Sequence, residues 1–234
     1  MDISIVLIEP EHELNIGFTA RAMMNFGVSD LRLVNPKTDV GSEAMRFASH
    51  AASIVRNARV GDSMLDVTKG ADLLVGTTSI QSRSFSKVHR KSVEPRRLSE
   101  LLKVRRGKVS LVFGREGTGL NNQELELCDA ISTIPTSESY SAMNISHAVA
   151  VFLYELQSSH SLRPELLASS KMRELISDHF ESLLQAGGFP LHKRKPALRA
   201  LRNIMGRSCM SRREASLILG GLRKASEVQS RTHG

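Results

Sequence analysis

The sequence predicts an α/β fold with a mostly parallel sheet, followed by a small all-α extension at the C-terminal end. Three observations predict it. Short apolar segments alternate with helix-like segments over about the first 160 residues, a pattern typical of layered α/β proteins. Polar or turn residues bound each apolar segment, and after residue 160 the pattern changes to helices alone. We therefore expect two domains, at residues 1–160 and 161–234.

Five apolar segments are predicted to be buried strands, because the strands of a parallel sheet are covered on both faces and have nearly continuous apolar sequences. They are residues 3–8, 31–34, 73–76, 109–113 and 130–134. Helical spacing or cap signals predict helices in the same domain over residues 17–26, 42–56, 63–68, 99–103 and 144–156.

Three helices are predicted in the extension. The first covers residues 162–185 and stops at a pair of glycines, and the second covers 195–205. The capping-box pattern Ser211-x-x-Glu214 opens the third. We expect it to end near Gly220 or to continue to Ala225, with a frayed tail from residue 226.

The composition excludes several classes of protein. With 41% hydrophobic and 24% charged residues, the chain is neither disordered nor collagen-like. Its longest strongly apolar segment, residues 3–8, is far shorter than the ~20 residues of a spanning helix and has no basic region before it. We therefore expect no membrane segment and no signal peptide. Cys128 and Cys209 form no C-x-x-C pair, and we expect a reduced, cytoplasmic protein.

The excess positive charge is confined to the extension. Residues 161–234 hold 14 basic and 6 acidic side chains, whereas the first 160 residues hold 18 of each. A neutral body with a basic extension is typical of proteins that bind nucleic acid backbones. A solvated helical tail gives the same pattern, so charge alone leaves both interpretations open.

Residues 15–21, which read N-I-G-F-T-A-R, follow the first predicted strand. Helical spacing places Gly17 and Arg21 on one face, near the carboxyl edge of the sheet, where open α/β sheets bind ligands. The alternative is an ordinary helix start with a solvated arginine.

A glycine-rich turn, G-R-E-G-T-G-L at residues 114–120, leaves another predicted strand. Three glycines in six residues indicate positive φ angles or a close approach of the backbone to a ligand. The turn lacks the Gly-Lys-Ser/Thr of a P-loop, and its G-x-x-G-x-G spacing differs from the dinucleotide-binding fingerprint. A tight strand-to-helix turn is the alternative.

A polar loop precedes the apolar helix predicted at residues 144–156. Residues 139–148 read S-Y-S-A-M-N-I-S-H-A and follow Ile134-Pro135. The loop offers many hydrogen-bonding groups just before a helix N-terminus. Ordinary N-cap chemistry explains the same residues.

In this order, the three stretches resemble the motifs of the SPOUT superfamily of RNA methyltransferases. The patterns are N-x-G-x-x-x-R, F-G-x-E-x-x-G-L, and I-P followed by S-x-x-N-x-S-x-A. The segments I-V-L-I-E-P, L-R-L-V-N-P and V-G-T-T-S resemble more closely the TrmJ-type tRNA 2′-O-methyltransferases. The resemblance covers about residues 2–157, and the extension matches only as a small basic helical addition.

The resemblance implies a SPOUT fold with a deep C-terminal trefoil knot, one of the few exceptions to the rule against knots, and a homodimer. It also implies that S-adenosylmethionine binds in the knot and that no metal is used; the sequence has no H-E-x-x-H or paired Cys/His spacing. The donor-binding residues that it implies are Thr77, Thr78, Ser79, Gly114, Glu116, Ile134, Ser141, Ala142, Met143 and Asn144.

The same resemblance places Arg21 at the target 2′-hydroxyl. A guanidinium group is a poor general base because it holds its proton so tightly. We expect Arg21 to orient the ribose and to stabilise the developing alkoxide; a desolvated Arg21 acting as the base is the alternative. Asn15 is expected to position Arg21 or the ribose, and Glu116 to bond a backbone group or Arg21.

One position departs from the family pattern. TrmJ-type proteins usually read Y-S-S-L-N, whereas this chain reads Y-S-A-M-N at residues 140–144. A hydroxyl is therefore missing at Ala142, and Ser141 is the catalytic candidate that would compensate for it.

Charge is expected to carry most of the RNA binding, because the chain has no Trp and only two Tyr for base stacking. One basic region is the loop at residues 79–97, and the other begins the second helix of the extension. The candidate RNA-binding residues are Arg83, Lys87, Arg90, Lys91, Lys193, Arg194 and Lys195. Solvated surface is the alternative for both regions.

The resemblance implies an S-adenosylmethionine-dependent tRNA ribose 2′-O-methyltransferase. The implied target is nucleotide 32 of the anticodon loop. The resemblance implies a cytidine there and leaves open whether a uridine is also accepted. Three alternatives remain at this point: a SPOUT RNA-binding protein with weak or no catalysis, which Ala142 favours; a 2′-O-methyltransferase of ribosomal RNA; and a nucleotide-binding enzyme that uses the glycine-rich turn.

Overall fold

The computed structural model describes residues 1–79, 92–103, 105–157 and 165–232, with the side chains of the last helix up to residue 227. The strands in these ranges are β1 (Asp2–Ile8), β2 (Asp30–Val34), β3 (Arg59–Gly61), β4 (Leu73–Thr77), β5 (Arg105–Arg106), β6 (Lys108–Phe113), β7 (Ala130–Ser132) and β8 (Glu165–Leu166). The helices are α1 (Glu13–Asn25), α2 (Ser42–Ala48), α3 (Ala52–Arg56), α4 (Met64–Thr68), α5 (Pro95–Leu102), α6 (Asn122–Leu127), α7 (Ile145–Gln157), α8 (Ser170–Ala186), α9 (Leu191–Arg207) and α10 (Arg212–Thr232).

Six of the strands form one parallel sheet in the order β3-β2-β1-β6-β4-β7. In the centre, Ile5 of β1 lies opposite Leu31 of β2 on one side and Leu111 of β6 on the other. All three side chains are fully or almost fully buried, as expected for strands that are covered on both faces. The predicted parallel α/β fold is confirmed.

The strand order determines which loops meet. Because β6 lies between β1 and β4, the carboxyl ends of β1, β6, β4 and β7 follow one another along a single edge. The segments that leave this edge carry the three sequence motifs, and such edges are the usual ligand sites of open α/β sheets. The trefoil knot stays a prediction, because strand order describes neighbours and not the threading of the chain.

Helices cover both faces of the sheet, and alternate residues of β1 point to opposite faces. Ile5 and Leu7 belong to the larger core, which includes α1 and α7. In that core the rings of Phe113 and Phe152 make an edge-to-face contact with their centroids 5.6 Å apart. Val6 belongs to a smaller core on the other face, with α4 and α6.

Helix α1 packs closely on α2 at Gly17. A Cβ at this position would lie 2.5 Å from the Cβ of Phe47 and 2.6 Å from the carbonyl oxygen of Ala44, so only glycine fits without a shift of the helices. Gly17 is buried, whereas Arg21 one turn later is exposed. Gly17 therefore serves helix packing, while Arg21, on the same side of α1, extends to the surface.

Two predicted helices differ from the structure by more than a shift of about one turn at an end. Residues 42–56 do not form one helix, because Ser49 has a φ of 53° in the left-handed region; α2 ends there and a 3₁₀ turn precedes α3. The helix predicted at residues 162–185 begins only at Ser170, where the hydroxyl of Ser169 accepts a hydrogen bond from the N–H of Met172.

Three further expectations are corrected. The strand predicted at residues 130–134 ends at Ser132. The extension is not purely helical, because β8 pairs in parallel with β5. The third helix continues through Gly220 and Gly221 to Thr232, past both of its expected ends at Gly220 and Ala225. Neither glycine has a positive φ angle, so neither adopts the left-handed conformation by which glycines commonly end helices.

The extension has a small core of its own and is also anchored in the first domain. Leu167 and Cys209 are buried in the main core, and Arg173 forms an ion pair of 3.1 Å with Asp129, just before β7. Helix α9 comes so close that a Cβ on Gly206 would overlap the carbonyl oxygen of Asp129. The separate core consists of Ala168, Ile176, Met205, Met210, Ala215 and Leu219. The domain boundary near residue 160 stays a prediction, and these contacts cross it.

Candidate active site

The candidate site lies at the carboxyl edge of the sheet, where the segments after β1, β6, β4 and β7 come together. The three motifs are widely separated in sequence: Asn15 is 101 residues from Glu116 and 129 residues from Asn144. In the structure these three side chains form one hydrogen-bond network, called here the Glu116–Asn15–Asn144 network.

Glu116 holds the segment that leads from β1 into α1. Its two carboxylate oxygens lie 3.2 and 3.1 Å from the backbone N–H of Glu11, and Oε1 also accepts a hydrogen bond of 3.0 Å from Nδ2 of Asn15. A carboxylate only accepts hydrogen bonds, so the amide of Asn15 must turn its Nδ2 toward Glu116. Of the two partners expected for Glu116, the structure gives the backbone group and not Arg21.

Asn15 connects Glu116 to the start of α7. Its side chain is buried, with 3% of the residue exposed, and its Oδ1 accepts a hydrogen bond of 2.9 Å from Nδ2 of Asn144. The Oδ1 of Asn144 in turn accepts hydrogen bonds from the N–H and the hydroxyl of Ser146, at 2.9 and 2.7 Å. Asn144 therefore caps α7 and joins the third motif to the first.

Arg115, which sequence reasoning did not select, binds the opposite end of the same segment. Its Nε donates a hydrogen bond of 2.8 Å to Glu9, at the end of β1, and its two terminal nitrogens donate to the carboxylate of Glu124 at 3.1 and 2.9 Å. The hydrogen bond from Arg115 is the main cause that lowers the pKa of Glu9 below its ordinary value. The two carboxylates, Glu124 foremost, raise the pKa of Arg115 still higher.

The sequence contains a signal for the position of Glu124, one of the two carboxylates that Arg115 binds. Asn121-x-x-Glu124 is a capping-box pattern, and the structure has both of its hydrogen bonds: the N–H of Glu124 donates to Asn121 at 2.9 Å, and the N–H of Asn121 donates to Glu124 at 2.7 Å. The pairing with Glu9 had no such signal, because Glu9 and Arg115 are 106 residues apart.

The glycine-rich turn is closed by its own backbone. The N–H of Arg115 donates to the carbonyl of Gly119 at 3.2 Å, and the N–H of Gly119 donates to the carbonyl of Arg115 at 3.0 Å. A Cβ at Gly114 would overlap the backbone of Gly119, and Gly119 has a φ of 69°. Both glycines are therefore required by the turn itself, as the alternative of a tight strand-to-helix turn expects, while the role of the turn in donor binding stays a prediction.

The residues after β4 and β7 extend this edge. The hydroxyl of Thr77 donates to the carbonyl of Val112 at 3.0 Å, and the N–H of Thr78 donates to the carbonyl of Ser132 at 3.1 Å. Ser79 is exposed and Ile134 is half-buried. The hydroxyl of Thr133 is buried and has no hydrogen-bond partner in the described part of the chain. A buried polar group of this kind normally has a partner, so this edge has an unused hydrogen-bonding group for a ligand.

The loop before α7 is open to solvent. Ser141, Ala142 and Met143 are exposed, and the hydroxyl of Thr136 donates to the carbonyl oxygen of Ser141 at 3.2 Å. Within the described residues, the side chain of Ser141 lies outside the Glu116–Asn15–Asn144 network. Ser141 is thus accessible to a ligand.

Arg21 lies two turns along α1 from Asn15 and is exposed. Its guanidinium carbon is 5.8 Å from the centroid of the Phe18 ring, within the range of a cation–π contact. The Phe18 ring makes an edge-to-face contact with Phe47 of α2, with centroids 5.7 Å apart. Arg21 is held by an aromatic face, and among the described groups it is not part of the Glu116–Asn15–Asn144 network.

The candidate RNA-binding residues divide into two groups. Lys193 and Lys195 are exposed in the first turns of α9, and Arg194 is half-buried, with its Nε donating to the carbonyl of Phe189 at 3.0 Å. The four candidates of the basic loop, Arg83, Lys87, Arg90 and Lys91, lie outside the described residues.

Metal-binding clusters and membrane-spanning helices are both absent from the described ranges. No three His, Cys, Asp or Glu side chains come together there in a way that would hold a metal ion. Over the same ranges, no helix is both long enough and apolar enough to span a membrane.

Comparison with protein families gives a match over most of the first domain. A model of the SpoU rRNA Methylase family matches residues 2–154. This range contains all three motifs and the sheet edge described above.

The chain is also similar to characterised and solved relatives over nearly its full length. It is 32% identical to the tRNA (cytidine-2′-O-)-methyltransferase TrmJ of Methanocaldococcus jannaschii, over 94% of this chain and 98% of that protein. It is 34% identical to the tRNA (cytidine/uridine-2′-O-)-methyltransferase TrmJ of Pectobacterium atrosepticum, over 99% of this chain and 98% of that protein. Its structure is similar to the crystal structure of TrmJ from Z. mobilis ZM4, with a TM-score of 0.69 and 28% identity over 97% of this chain and 100% of that chain.

Proposed function

Because the chain belongs to the SpoU rRNA methylase family, we propose that it transfers a methyl group from S-adenosylmethionine to the ribose 2′-hydroxyl of a cytidine or uridine in tRNA. The names of the two relatives support tRNA rather than ribosomal RNA as the substrate. The similarity includes the basic extension, since it covers at least 94% of this chain.

The Glu116–Asn15–Asn144 network is the observation that carries this proposal. Hydrogen bonds of 3.0 and 2.9 Å join the three motifs through a buried Asn15. Loops that must align a ribose hydroxyl with a methyl donor need to be fixed relative to one another, because small displacements of reacting groups are costly for rate. The network supplies this fixation from three separate parts of the chain.

The donor would be held by the segments that follow β4, β6 and β7. We assign to it Thr77, Thr78, Ser79, Gly114, Glu116, Ile134, Ser141, Ala142, Met143 and Asn144. The half-buried Ile134 and the hydroxyl of Thr133, which has no partner among the described residues, suit a group with an apolar face and polar edges. When bound, S-adenosylmethionine supplies a methyl group made electrophilic by its sulfonium sulfur.

Arg21 would act on the acceptor. An exposed guanidinium group can bind a phosphate or a ribose oxygen in a fixed geometry, and Phe18 limits the orientations of the side chain on α1. In this role Arg21 orients the ribose and stabilises the negative charge that develops on the 2′-oxygen as the hydroxyl proton passes to water and the methyl group moves from sulfur to this oxygen. Asn15 acts indirectly by fixing the start of the helix that carries Arg21, and Ser141 offers an exposed hydroxyl for the acceptor.

The remaining parts of the proposal follow from the resemblance and the charge distribution. We propose a homodimer in which the site is completed near the subunit interface, and nucleotide 32 of the anticodon loop as the target. Lys193, Arg194 and Lys195, with the basic loop that contains Arg83, Lys87, Arg90 and Lys91, would bind the tRNA backbone. A tRNA substrate is consistent with action in the cytoplasm.

The test is incubation of the protein with S-adenosylmethionine and unmodified tRNA, followed by nucleoside mass spectrometry. We expect a 2′-O-methylated cytidine or uridine, and its loss in Arg21→Ala. Arg46→Ala is the matched control, because Arg46 is also an exposed arginine over a phenylalanine ring, at 4.8 Å from the Phe47 centroid. Turnover by Arg21→Lys close to that of the unchanged protein would contradict a role for the guanidinium geometry.

Two other outcomes have defined meanings. Donor binding without a methylated nucleoside in tRNA, but with one in ribosomal RNA, would reassign the substrate. Donor and tRNA binding without any product would indicate an RNA-binding protein, and Ala142→Ser then tests whether the missing hydroxyl is the cause.

A further inference from the structure

We propose that Arg115 is a positioning residue, which acts on the candidate site by holding Glu116 against Glu11 and Asn15. The consequence for catalysis rests on the proposed function. The positioning itself rests only on the geometry of the described residues.

Consecutive side chains of the turn bind the same short segment. Arg115 binds Glu9 with its Nε at 2.8 Å, while the next residue, Glu116, binds the N–H of Glu11 and the Nδ2 of Asn15. The segment from residue 9 to residue 15 begins directly after β1 and ends in the first turn of α1. It is therefore held at both ends by two neighbouring residues of one turn.

The guanidinium group of Arg115 suits this position for a geometric reason. Its terminal nitrogens form two parallel hydrogen bonds with Glu124, while Nε is directed to Glu9. A planar group with five donors can bind one carboxylate in a fork and a second carboxylate from its edge, whereas a lysine ammonium cannot reproduce the fork. The Arg115 side chain is 20% exposed and that of Glu124 is 14% exposed, so these ion pairs are only partly screened by water.

The backbone of the turn is closed without the guanidinium group. The backbone groups of Arg115 and Gly119 form two hydrogen bonds, to which the guanidinium adds one of 3.3 Å from Nη1 to the carbonyl of Gly119. The capping box of Asn121 and Glu124 begins α6 with its own two hydrogen bonds. We therefore expect a lysine at position 115 to keep the turn and α6, and to weaken mainly the link from the turn to Glu9 and the restraint on the chain between β1 and α1.

Amide hydrogen exchange at Glu11 tests the positioning without any substrate. Its N–H donates to the Glu116 carboxylate, so it reports directly whether Glu116 is held in place. In Arg115→Lys we expect exchange at this amide to rise about tenfold, as for the loss of one hydrogen bond to a charged acceptor. The matched control is Arg32→Lys, which removes the guanidinium group of another arginine, a buried one that donates from Nε and Nη2 to Asp30 at the start of β2. It should lower the Tm but leave exchange at Glu11 unchanged.

A double-mutant cycle tests the consequence for catalysis. We expect Arg115→Lys to lower kcat for tRNA methylation about tenfold to a hundredfold, the range that follows from a small misplacement of reacting groups. The KM for tRNA should change less than threefold. In an Asn15→Ala background, Arg115→Lys should produce little further loss, because its effect passes through Asn15.

The outcomes separate this proposal from the proposed function. If the unchanged protein forms no methylated nucleoside, the proposed function fails, and exchange at Glu11 still decides whether Arg115 positions Glu116. If the unchanged protein is active, the inference is overturned by an Arg115→Lys variant with normal kcat, or by effects of Arg115→Lys and Asn15→Ala that multiply independently. Exchange at Glu11 that is the same in Arg115→Lys and Arg32→Lys also overturns it.

Discussion

Replacing Asn15 by aspartate would turn the central hydrogen bond of the Glu116–Asn15–Asn144 network into a contact between two carboxylates. Nδ2 of Asn15 lies 3.0 Å from Oε1 of Glu116, so a carboxylate oxygen in its place would sit at the same distance. Two like charges this close repel by about 5 kcal/mol at an effective dielectric constant of ~20. Because Glu116 is only half-buried, we expect about 3–5 kcal/mol.

The cost should depend on pH in a defined direction. At low pH the new carboxyl is protonated and can donate to Glu116 as Nδ2 does, so Asn15→Asp should be nearly as stable as the unchanged protein. Above about pH 4 the unfolded chain releases this proton, while the repulsion retains it in the folded protein. The stability of the variant therefore falls as pH rises, by about 1.4 kcal/mol per unit, until the folded pair also ionises.

Thermal unfolding measured from pH 5 to pH 8 is the assay. At pH 8 the Tm of Asn15→Asp should be about 10 °C below that of the unchanged protein, from the scaling for a chain of this size, and the difference should be much smaller at pH 5. Asn15→Leu removes the same hydrogen bonds without adding a titratable group, so its Tm difference should be constant over this range. A Tm difference for Asn15→Asp that does not change with pH would refute the reasoning.

The other predictions concern the extension. Gly206→Ala should lower the free energy of unfolding by about 1–3 kcal/mol, because the added methyl group overlaps the carbonyl of Asp129. Urea titration measures this free energy. The control is Gly220→Ala, where a Cβ meets nothing within 4 Å. Burial raises the pKa of the Cys209 thiol to about 12. In the native protein this thiol should therefore resist alkylation by iodoacetamide at pH 8 and react only after denaturation. Rapid alkylation of the native protein, measured by mass spectrometry, would contradict the burial of Cys209. The double substitution Lys193→Glu, Lys195→Glu should weaken tRNA binding and reduce the slope of log Kd against the logarithm of the salt concentration by about 2. The affinity for S-adenosylmethionine should not change. An unaltered slope would exclude these side chains as phosphate contacts.

The sequence predicted the sheet well where burial leaves a strong pattern. The five apolar segments lie on five of the six strands of the sheet, because strands covered on both faces cannot contain solvated side chains. The sixth, β3, has only three residues, and Val60 in its centre is 58% exposed. The two-residue β5 and β8 pair only with each other. Strands this short leave no periodic signal in the sequence. They can be identified only from their pairing with other strands in the structure.

The sequence identifies most residues of the candidate site but not the hydrogen bonds among them. Asn15, Glu116 and Asn144 stand out by motif, but nothing local indicates that the amide of Asn15 lies between the other two. Glu9 and Arg115 were missed for the same reason, since a pairing between residues 106 apart depends on the strand order that places β6 beside β1. Local sequence patterns predict helices and caps. A pair of polar residues that lie far apart in the sequence can be predicted only when the whole fold is known.

The way the extension is attached affects how its role can be studied. A shortened chain that ends at residue 160 would lose Leu167 and Cys209 from the main core, and it would leave Asp129 without Arg173. Asp129 directly precedes β7, and its carboxylate accepts a hydrogen bond from the N–H of Leu74 at 2.8 Å. Weak tRNA binding by such a fragment would therefore report damage to the catalytic domain together with the loss of basic charge. Substitutions on the exposed face of α9 separate the two effects, because they remove charge and leave the interior intact.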